Sequence, residues 1–111
     1  MNENLMMVRG DTFSFSIEIE GLLEDLIGAS FSCRKNENES EYIFQKTLGS
    51  GIEKTEETAN SKTYKVTVAP SDTAALEKEN YFYDLELTSS ENEVFTPYLG
   101  ILKVVMDCTH N

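Results

Sequence analysis

The sequence contains few of the residues that build metal sites and nucleophilic active sites. Its 111 residues include two cysteines, Cys33 and Cys108, and one histidine, His110. Tetrahedral zinc takes three or four protein ligands, and no C-x-x-C pair is present. A cysteine nucleophile needs a histidine held by the fold, and His110 stands next to the last residue. We therefore predict no metal, no cofactor and two reduced cysteines that act as small apolar residues.

Motifs of the common enzyme classes are absent as well. The sequence has no G-x-S-x-G and no glycine-rich phosphate loop. Carboxylate pairs such as Glu18 with Glu20 lie two residues apart on strand faces whose neighbours are polar, which is typical of a solvated surface. We expect that the protein is not an enzyme.

Positive charge is also scarce. Nine lysines and arginines stand against 20 acidic residues, which gives a net charge of −11. The bases are scattered, whereas nucleic acids and anionic membranes attract clustered positive charge. The longest unbroken apolar run has four residues, Leu5–Val8, and residues 1–4 lack the features of a signal peptide. The sequence therefore predicts no nucleic-acid or membrane partner and a location in the cytoplasm.

Apolar and polar residues alternate with a period of two along much of the chain. Residues 12–20 put Phe13, Phe15, Ile17 and Ile19 on one side of a half-buried strand. Further strands are predicted at residues 5–9, 29–34, 41–47, 64–68 and 81–88, and residues 94–108 form either two strands or one strand broken at Pro97 or Gly100.

Turn signals and one short helix separate these strands. A short helical turn is predicted near 71–77, after Pro70, and residues 54–61 are predicted to be a flexible connection. The tripeptide Arg9-Gly10-Asp11 is interpreted as a tight turn rather than a cell-adhesion motif. About seven short strands with turns between them predict a single all-β domain over residues 1–111, an antiparallel β-sandwich. Tyr81 or Tyr83 is expected to form the tyrosine corner of such a fold.

The order of these features resembles a family of phage-encoded β-sandwich proteins. The matching segments are residues 8–13, 26–29, 31–34, 66–70, 80–85 and 100–104. Over about residues 5–108, this layout is similar to the amino-terminal domain of phage baseplate upper proteins and related small tail-associated proteins. The resemblance implies an immunoglobulin-like sandwich that attaches tail components to one another. In that family, long helical and receptor-binding-protein-contacting regions follow this domain, and the present sequence ends at Asn111.

These observations lead to an expected function. We expect a non-enzymatic structural or assembly protein of a phage or prophage, associated with the tail or baseplate. It would act through protein–protein contacts with other phage structural proteins or with further copies of itself. Its expected locations are the host cytoplasm before assembly and the virion afterwards.

The candidate interface is an apolar cluster in the loop 21–28. It consists of Leu22, Leu23, Leu26 and Ile27, beside the acidic Glu24 and Asp25. The same loop could instead fold over the open end of the sandwich as a lid on the core. The sequence leaves both interpretations open.

Two functions of other classes also stay open. One is a small binding module for a carbohydrate or a host surface, for which the available rings are Tyr42, Phe82, Phe95 and Tyr98. The other is an acidic phage inhibitor of a host protein, which would require acids concentrated on one face. In this sequence the acids occur in every segment.

Overall fold

The computed structural model describes residues 3–22, 24–36, 40–77 and 80–105. Strands account for most of them, so the prediction of an all-β chain is confirmed. The elements in chain order are β1 (Leu5–Val8), β2 (Phe13–Glu20), β3 (Gly28–Arg34), β4 (Phe44–Leu48), β5 (Gly51–Glu57), β6 (Ser61–Val68), α1 (Pro70–Thr73), β7 (Asn80–Thr88) and β8 (Val94–Val105).

All eight strands belong to one hydrogen-bonded sheet in the order β1-β8-β7-β3-β4-β5-β6-β2. The expected number was about seven, and the additional strand is β5, which occupies much of the segment predicted to be a flexible connection. The expectation of purely antiparallel pairing is wrong at two places, because β1 runs parallel to β8 and β4 runs parallel to β5. At the second place, Gly49 and Gly51 take φ values of 89° and 104°, which let the chain turn sharply between β4 and β5.

The sheet curls around one core. Phe15 of β2 and Phe31 of β3 are separated by three strands in the sheet order, yet their ring centroids lie 5.5 Å apart. Phe31 is fully buried and also packs against Phe44 and Tyr83, with centroid distances of 6.2 and 5.4 Å. Alternate residues of β2, β3, β6 and β7 point into this core, as the period-two pattern predicts.

The helical turn α1 is shorter than predicted. It links the connection between β6 and β7 to the turn between β1 and β2. α1 ends at Thr73 because the N–H of Leu76 bonds to the Thr73 carbonyl at 3.0 Å and Leu76 turns into the core. The buried Thr73 hydroxyl accepts a hydrogen bond of 2.8 Å from the N–H of Gly10. In the part of the chain that the structure describes, no helix has the length and apolar composition needed to cross a membrane.

β8 continues through both residues at which a break was predicted. Between Leu85 and Leu87 of β7 the partners on β8 advance from Tyr98 to Phe95, so β8 carries one extra residue there. Pro97 lies within this bulge. β1 pairs only with the last four residues of β8, which leaves Pro97 on a free strand edge where a proline is tolerated.

Candidate functional site

Among the described residues of the predicted interface loop, the apolar side chains do not form one exposed patch. Leu26 is 4% exposed and belongs to the core, and its N–H donates to the Tyr64 hydroxyl at 3.0 Å. Leu22 is half-buried and packs against the same core, whereas Ile27 is 56% exposed. Leu23 lies outside the described residues. This placement favours the lid interpretation for Leu26, and a role of Ile27 in an interface stays a prediction.

A network of charges fastens the same loop to the β5–β6 hairpin. The Lys54 ammonium lies 2.9 Å from Asp25 Oδ1 and 2.6 Å from Glu57 Oε1. The Lys62 ammonium, whose side chain is almost fully buried, lies 3.0 Å from Glu57 Oε2. Hydrogen bonds from Lys54 and then Lys62 lower the pKa of Glu57 to about 2. Because each charge has an opposite partner, this network holds the loop in place and offers no free charge to a ligand.

A different surface exposes apolar side chains together. We call it the outer face, meaning the side chains of β1, β3, β7 and β8 that point away from the core. Met6, Leu99 and Ile101 on this face are 63%, 42% and 38% exposed. Phe82 is half-buried among them. Large apolar side chains that are exposed together often mark an interaction site.

Sequence reasoning missed this surface because residues 98–102 are apolar almost without interruption. In such a run, the inward and outward sides of a strand cannot be distinguished by alternation. The run itself was the available signal, since a strand that is apolar on both sides is covered on both sides or exposes apolar groups.

A groove of about 580 Å³ crosses the outer face. It is lined by Asn4, Arg34, Phe82, Tyr83, Asp84, Thr96, Leu99, Gly100 and Ile101. One wall is the segment before β1, which is fixed by the Glu3 N–H bond to the Leu99 carbonyl (2.9 Å) and by the Asn4 side chain, which accepts from the Ile101 N–H (3.2 Å). Gly100 permits this close approach, because a Cβ there would collide with the Glu3 carbonyl.

Tyr83 completes this wall from inside. Its hydroxyl donates a short hydrogen bond to the Glu3 carbonyl. Burial, followed by the charge of Glu3, raises the pKa of Tyr83 to about 12, so the hydroxyl stays protonated and can donate. The buried ring and the hydroxyl bonded to an upstream backbone carbonyl are the features expected of Tyr83 at a tyrosine corner, and the partner Glu3 lies 80 residues before it.

An arginine lies at the polar side of the groove. Arg34 Nη1 lies 2.7 Å from Asp84 Oδ2, and the guanidinium carbon stands 4.9 Å from the centroid of the Tyr42 ring. The hydrogen bond to Asp84 raises the pKa of Arg34. The Nε atom is buried and has no hydrogen-bond partner among the described residues. A guanidinium has five N–H donors, so Arg34 can donate to more than one acceptor.

The other predicted ring positions are dispersed. Phe82 lines the groove and Tyr42 lies under Arg34 at its polar side. Tyr98 packs against the core, and Phe95 is exposed near the start of β8. Arg9-Gly10-Asp11 forms the turn between β1 and β2, with a bond from the Asp11 N–H to the Val8 carbonyl.

The groups around the groove suit binding. The described residues contain no group of three or more His, Cys, Asp or Glu side chains placed to hold a metal ion. Cys33 is fully buried, and burial raises the pKa of its thiol to about 12, so it does not act as a nucleophile. His110 and Cys108 lie outside the described residues. The groove can offer apolar contact, the Phe82 ring, and hydrogen-bonding groups of Arg34, Asp84 and Asn4.

Comparison with known proteins leaves the family open: no family model and no curated protein matches the chain.

Proposed function

We propose that this chain is an immunoglobulin-like assembly protein of a phage or prophage. In this proposal it is a non-enzymatic part of the tail or baseplate that docks its outer face onto a neighbouring structural protein. The order of sequence features supports the phage assignment through its resemblance to baseplate upper proteins.

The strand order supports the immunoglobulin-like part. In immunoglobulin domains, strands B, E and D lie side by side in one sheet, and strands C, F and G lie side by side in the other. With β1 counted as A, the neighbours β2-β6-β5 and β3-β7-β8 correspond to these two sets. Two differences are that hydrogen bonds continue between the sets through β4 and β5, and that β1 joins β8 instead of β2.

The observation that carries the docking proposal is the set of exposed apolar side chains around the groove. Full burial of one such side chain contributes about 1.5–3 kcal/mol. Association costs several kcal/mol or more, so a few anchors on one face are needed for a stable complex. Met6, Leu99 and Ile101 supply these anchors, and Arg34 adds a directional donor beside them.

Paired variants on opposite faces test the proposal. The chain would be co-expressed with each tail and baseplate protein of its own phage genome, and complexes would be isolated by size exclusion with light scattering. Ile101→Asp places a charge on the outer face, and Thr67→Asp is the matched control on the opposite surface. We expect wild type and Thr67→Asp to form the same complex and Ile101→Asp to lose it.

Melting curves of both variants show whether each is folded. A complex that survives Ile101→Asp and also Leu99→Asp would contradict docking through the outer face. The absence of a complex with every tail and baseplate protein would contradict the assembly role itself.

One observation favours a second candidate, the binding of a carbohydrate. The groove combines the Phe82 ring with the Arg34–Asp84 pair and the Asn4 amide, which are groups that stack on and hydrogen-bond to sugars. A glycan array with wild type and Phe82→Ala tests this function. Carbohydrate binding predicts specific hits for the wild type that disappear in Phe82→Ala. An array without hits would contradict this second candidate function.

A further inference from the structure

Strand β2 has an edge that no other strand covers. In the described ranges β2 pairs only with β6, and it is the last strand of the sheet order. The register continues into the Gly21–Asn60 pair, where the Gly21 N–H bonds to the Asn60 carbonyl at 2.6 Å. Antiparallel bonding alternates from residue to residue. Odd-numbered residues of β2 therefore bond to β6, and the backbone groups of Ser14, Ser16, Glu18 and Glu20 point to the open edge.

A cleft into the core opens beside this edge. It has a volume of about 190 Å³ and is lined by Glu3, Leu5, Phe15, Ser16, Tyr83 and Tyr98. Most of these side chains are apolar or aromatic. A cavity of about 150 Å³ lined by apolar groups can hold a benzene molecule, so this cleft has room for one aliphatic or aromatic side chain.

The open edge and the cleft meet at Phe15 and Ser16 of β2. Ser16 presents its backbone N–H and C=O to the open edge and also lines the cleft. On an added strand, the residue opposite Phe15 would point to the inner side, as Phe15 does. Its side chain would therefore enter the cleft while its neighbour bonds to the Ser16 backbone. This is the position that strand A takes beside strand B in constant-type immunoglobulin sheets.

We propose that the open edge of β2 binds an extended segment of a partner protein as an additional antiparallel strand. The side chain of the added strand that points inward opposite Phe15 is apolar and fills the cleft. The side chains of the added strand that point outward opposite Glu18 and Glu20 are basic. The charges support this occupant, because Glu18 and Glu20 are exposed on the outward side and the whole chain carries −11. The proposal concerns a different surface from the outer face and does not depend on it.

A second copy of this chain fits the edge less well. Antiparallel pairing of β2 with β2 would bring Glu18 and Glu20 of both copies onto one side of a shared sheet. Like charges at short distance across strands are destabilising. Two chains of net charge −11 also repel each other before contact.

Synthetic peptides on the wild-type protein test this proposal. The probe is the capped peptide Lys-Val-Lys-Val-Thr-Leu-Thr, whose residues would lie opposite Glu20 to Ser14 in turn, with the leucine opposite Phe15. Two N-methylated versions provide the matched pair. A methyl group on the threonine nitrogen opposite Ser16 blocks a hydrogen bond to β2. A methyl group on the valine nitrogen opposite Ile17 points away from β2 and blocks no such bond. We expect saturable binding by calorimetry, at least tenfold weaker for the first version and unchanged for the second.

Protein variants and hydrogen exchange locate the binding. Ser16→Pro removes an N–H that faces the open edge, where a proline is tolerated, and Ser16→Ala retains it. We expect the first variant to lose the peptide and the second to bind it like wild type. The amides of Ser16 and Glu18 should become protected from exchange when the peptide binds. If Ser16→Pro does not fold, the N-methylated pair still decides the question.

Several results would overturn the proposal. These are equal binding of the two N-methylated peptides, protection confined to the outer face, or no saturable binding up to about 1 mM peptide. A dimer in light scattering with Ser16 already protected would assign the edge to a second copy and refute the proposed occupant. The peptide experiments use the isolated chain and no tail or baseplate protein, so failure here is distinguishable from failure of docking through the outer face.

Discussion

The two outward surfaces of the curled sheet differ in chemistry although both are built from half-buried strands. On β2, β5 and β6 the outward side chains are serines, threonines, lysines and glutamates, among them Ser14, Glu18, Glu53 and Thr67. We call this surface the polar face. On the outer face, Met6, Leu99 and Ile101 are exposed beside an arginine–aspartate pair.

This difference is the reason for placing the proposed docking surface on the outer face. Polar and acidic side chains on strands keep a protein soluble and discourage indiscriminate strand pairing. Exposed leucine, isoleucine and methionine side chains oppose solubility, so their concentration on one surface needs another explanation, and a partner that covers them supplies it. The polar face meets a partner, in our account, only along the open edge of β2.

The largest expected effect comes from the core that both faces share. Phe31→Ala removes a fully buried ring that contacts Phe15 on one side of the core and Tyr83 on the other. We expect a loss of about 3–5 kcal/mol in the free energy of unfolding by urea denaturation. Both faces should unfold in one transition. Separate transitions for amides of β2 and of β7 in hydrogen exchange would show that the two sides are independent.

A smaller effect is expected where the outer face is shaped by backbone contact. Gly100→Ala adds a Cβ that collides with the Glu3 carbonyl and so displaces the wall of the groove. We expect a loss of about 1–3 kcal/mol, as for other overpacked sites, measured by thermal or urea unfolding. The free energy of binding to the proposed partner should fall by more than the free energy of unfolding, because the groove changes shape. A variant as stable as wild type would show that residues 3 and 4 do not lie against β8.

A substitution in the turn between β1 and β2, which joins the two faces, should change the stability through backbone conformation alone. Gly10 has a φ of 82°, and a Cβ there would meet no atom within 4 Å. Gly10→Ala is therefore expected to cost about 1 kcal/mol through backbone conformation rather than collision. Gly10→Asn is the matched control, since asparagine tolerates this conformation better. Equal melting temperatures for wild type and Gly10→Ala would contradict the positive φ.

Acid should act on the network that fastens the loop 21–28, through Glu57. Its pKa is lowered to about 2 by Lys54 and Lys62, so the folded state holds this carboxylate ionised more strongly than the unfolded chain does. The resulting stability is present above the ordinary pKa of glutamate and is lost as the pH falls from about 4.5 toward about 2. Because the site is exposed, we expect a small effect.

Unfolding curves between pH 6 and pH 2 measure this contribution. Glu57→Gln should reduce the decline of the free energy of unfolding with falling pH. Glu53→Gln, on the same strand, should leave that decline as it is in the wild type. An identical decline for both variants would show that the network of Lys54, Lys62, Asp25 and Glu57 does not form in solution.

Much of the sheet could be predicted from the sequence because burial imposes a period of two. β2 and β7 alternate strictly, and both lie where the pattern predicts them. β5 was missed because only Ile52 of its residues is buried, so no alternation marks it. It is held instead by backbone pairing with β6 and by the ion pair of Lys54 with Asp25. Such support from sequence-distant partners leaves no local signal.

The candidate sites were harder to predict than the strands. The sequence left the loop 21–28 open to an interface or a lid interpretation, and in the structure Leu26 enters the core, where its N–H donates to the Tyr64 hydroxyl across the fold. Leu99 and Ile101 were expected to contribute to a strand, and their exposure depends on which side of β8 the sheet covers. The groove depends on Gly100 and Glu3, which are 97 residues apart in sequence.

The measurement that tests the outer face most directly compares two lysines of the same chain in the assembled complex. Lys103 is exposed on the outer face and Lys65 lies on the polar face. Their reactivity toward an amine-labelling reagent would be measured by mass spectrometry, in the free chain and in the complex with the proposed structural partner. We predict that Lys103 becomes protected severalfold while Lys65 keeps its reactivity. Protection of Lys65 with unchanged Lys103 would contradict docking through the outer face.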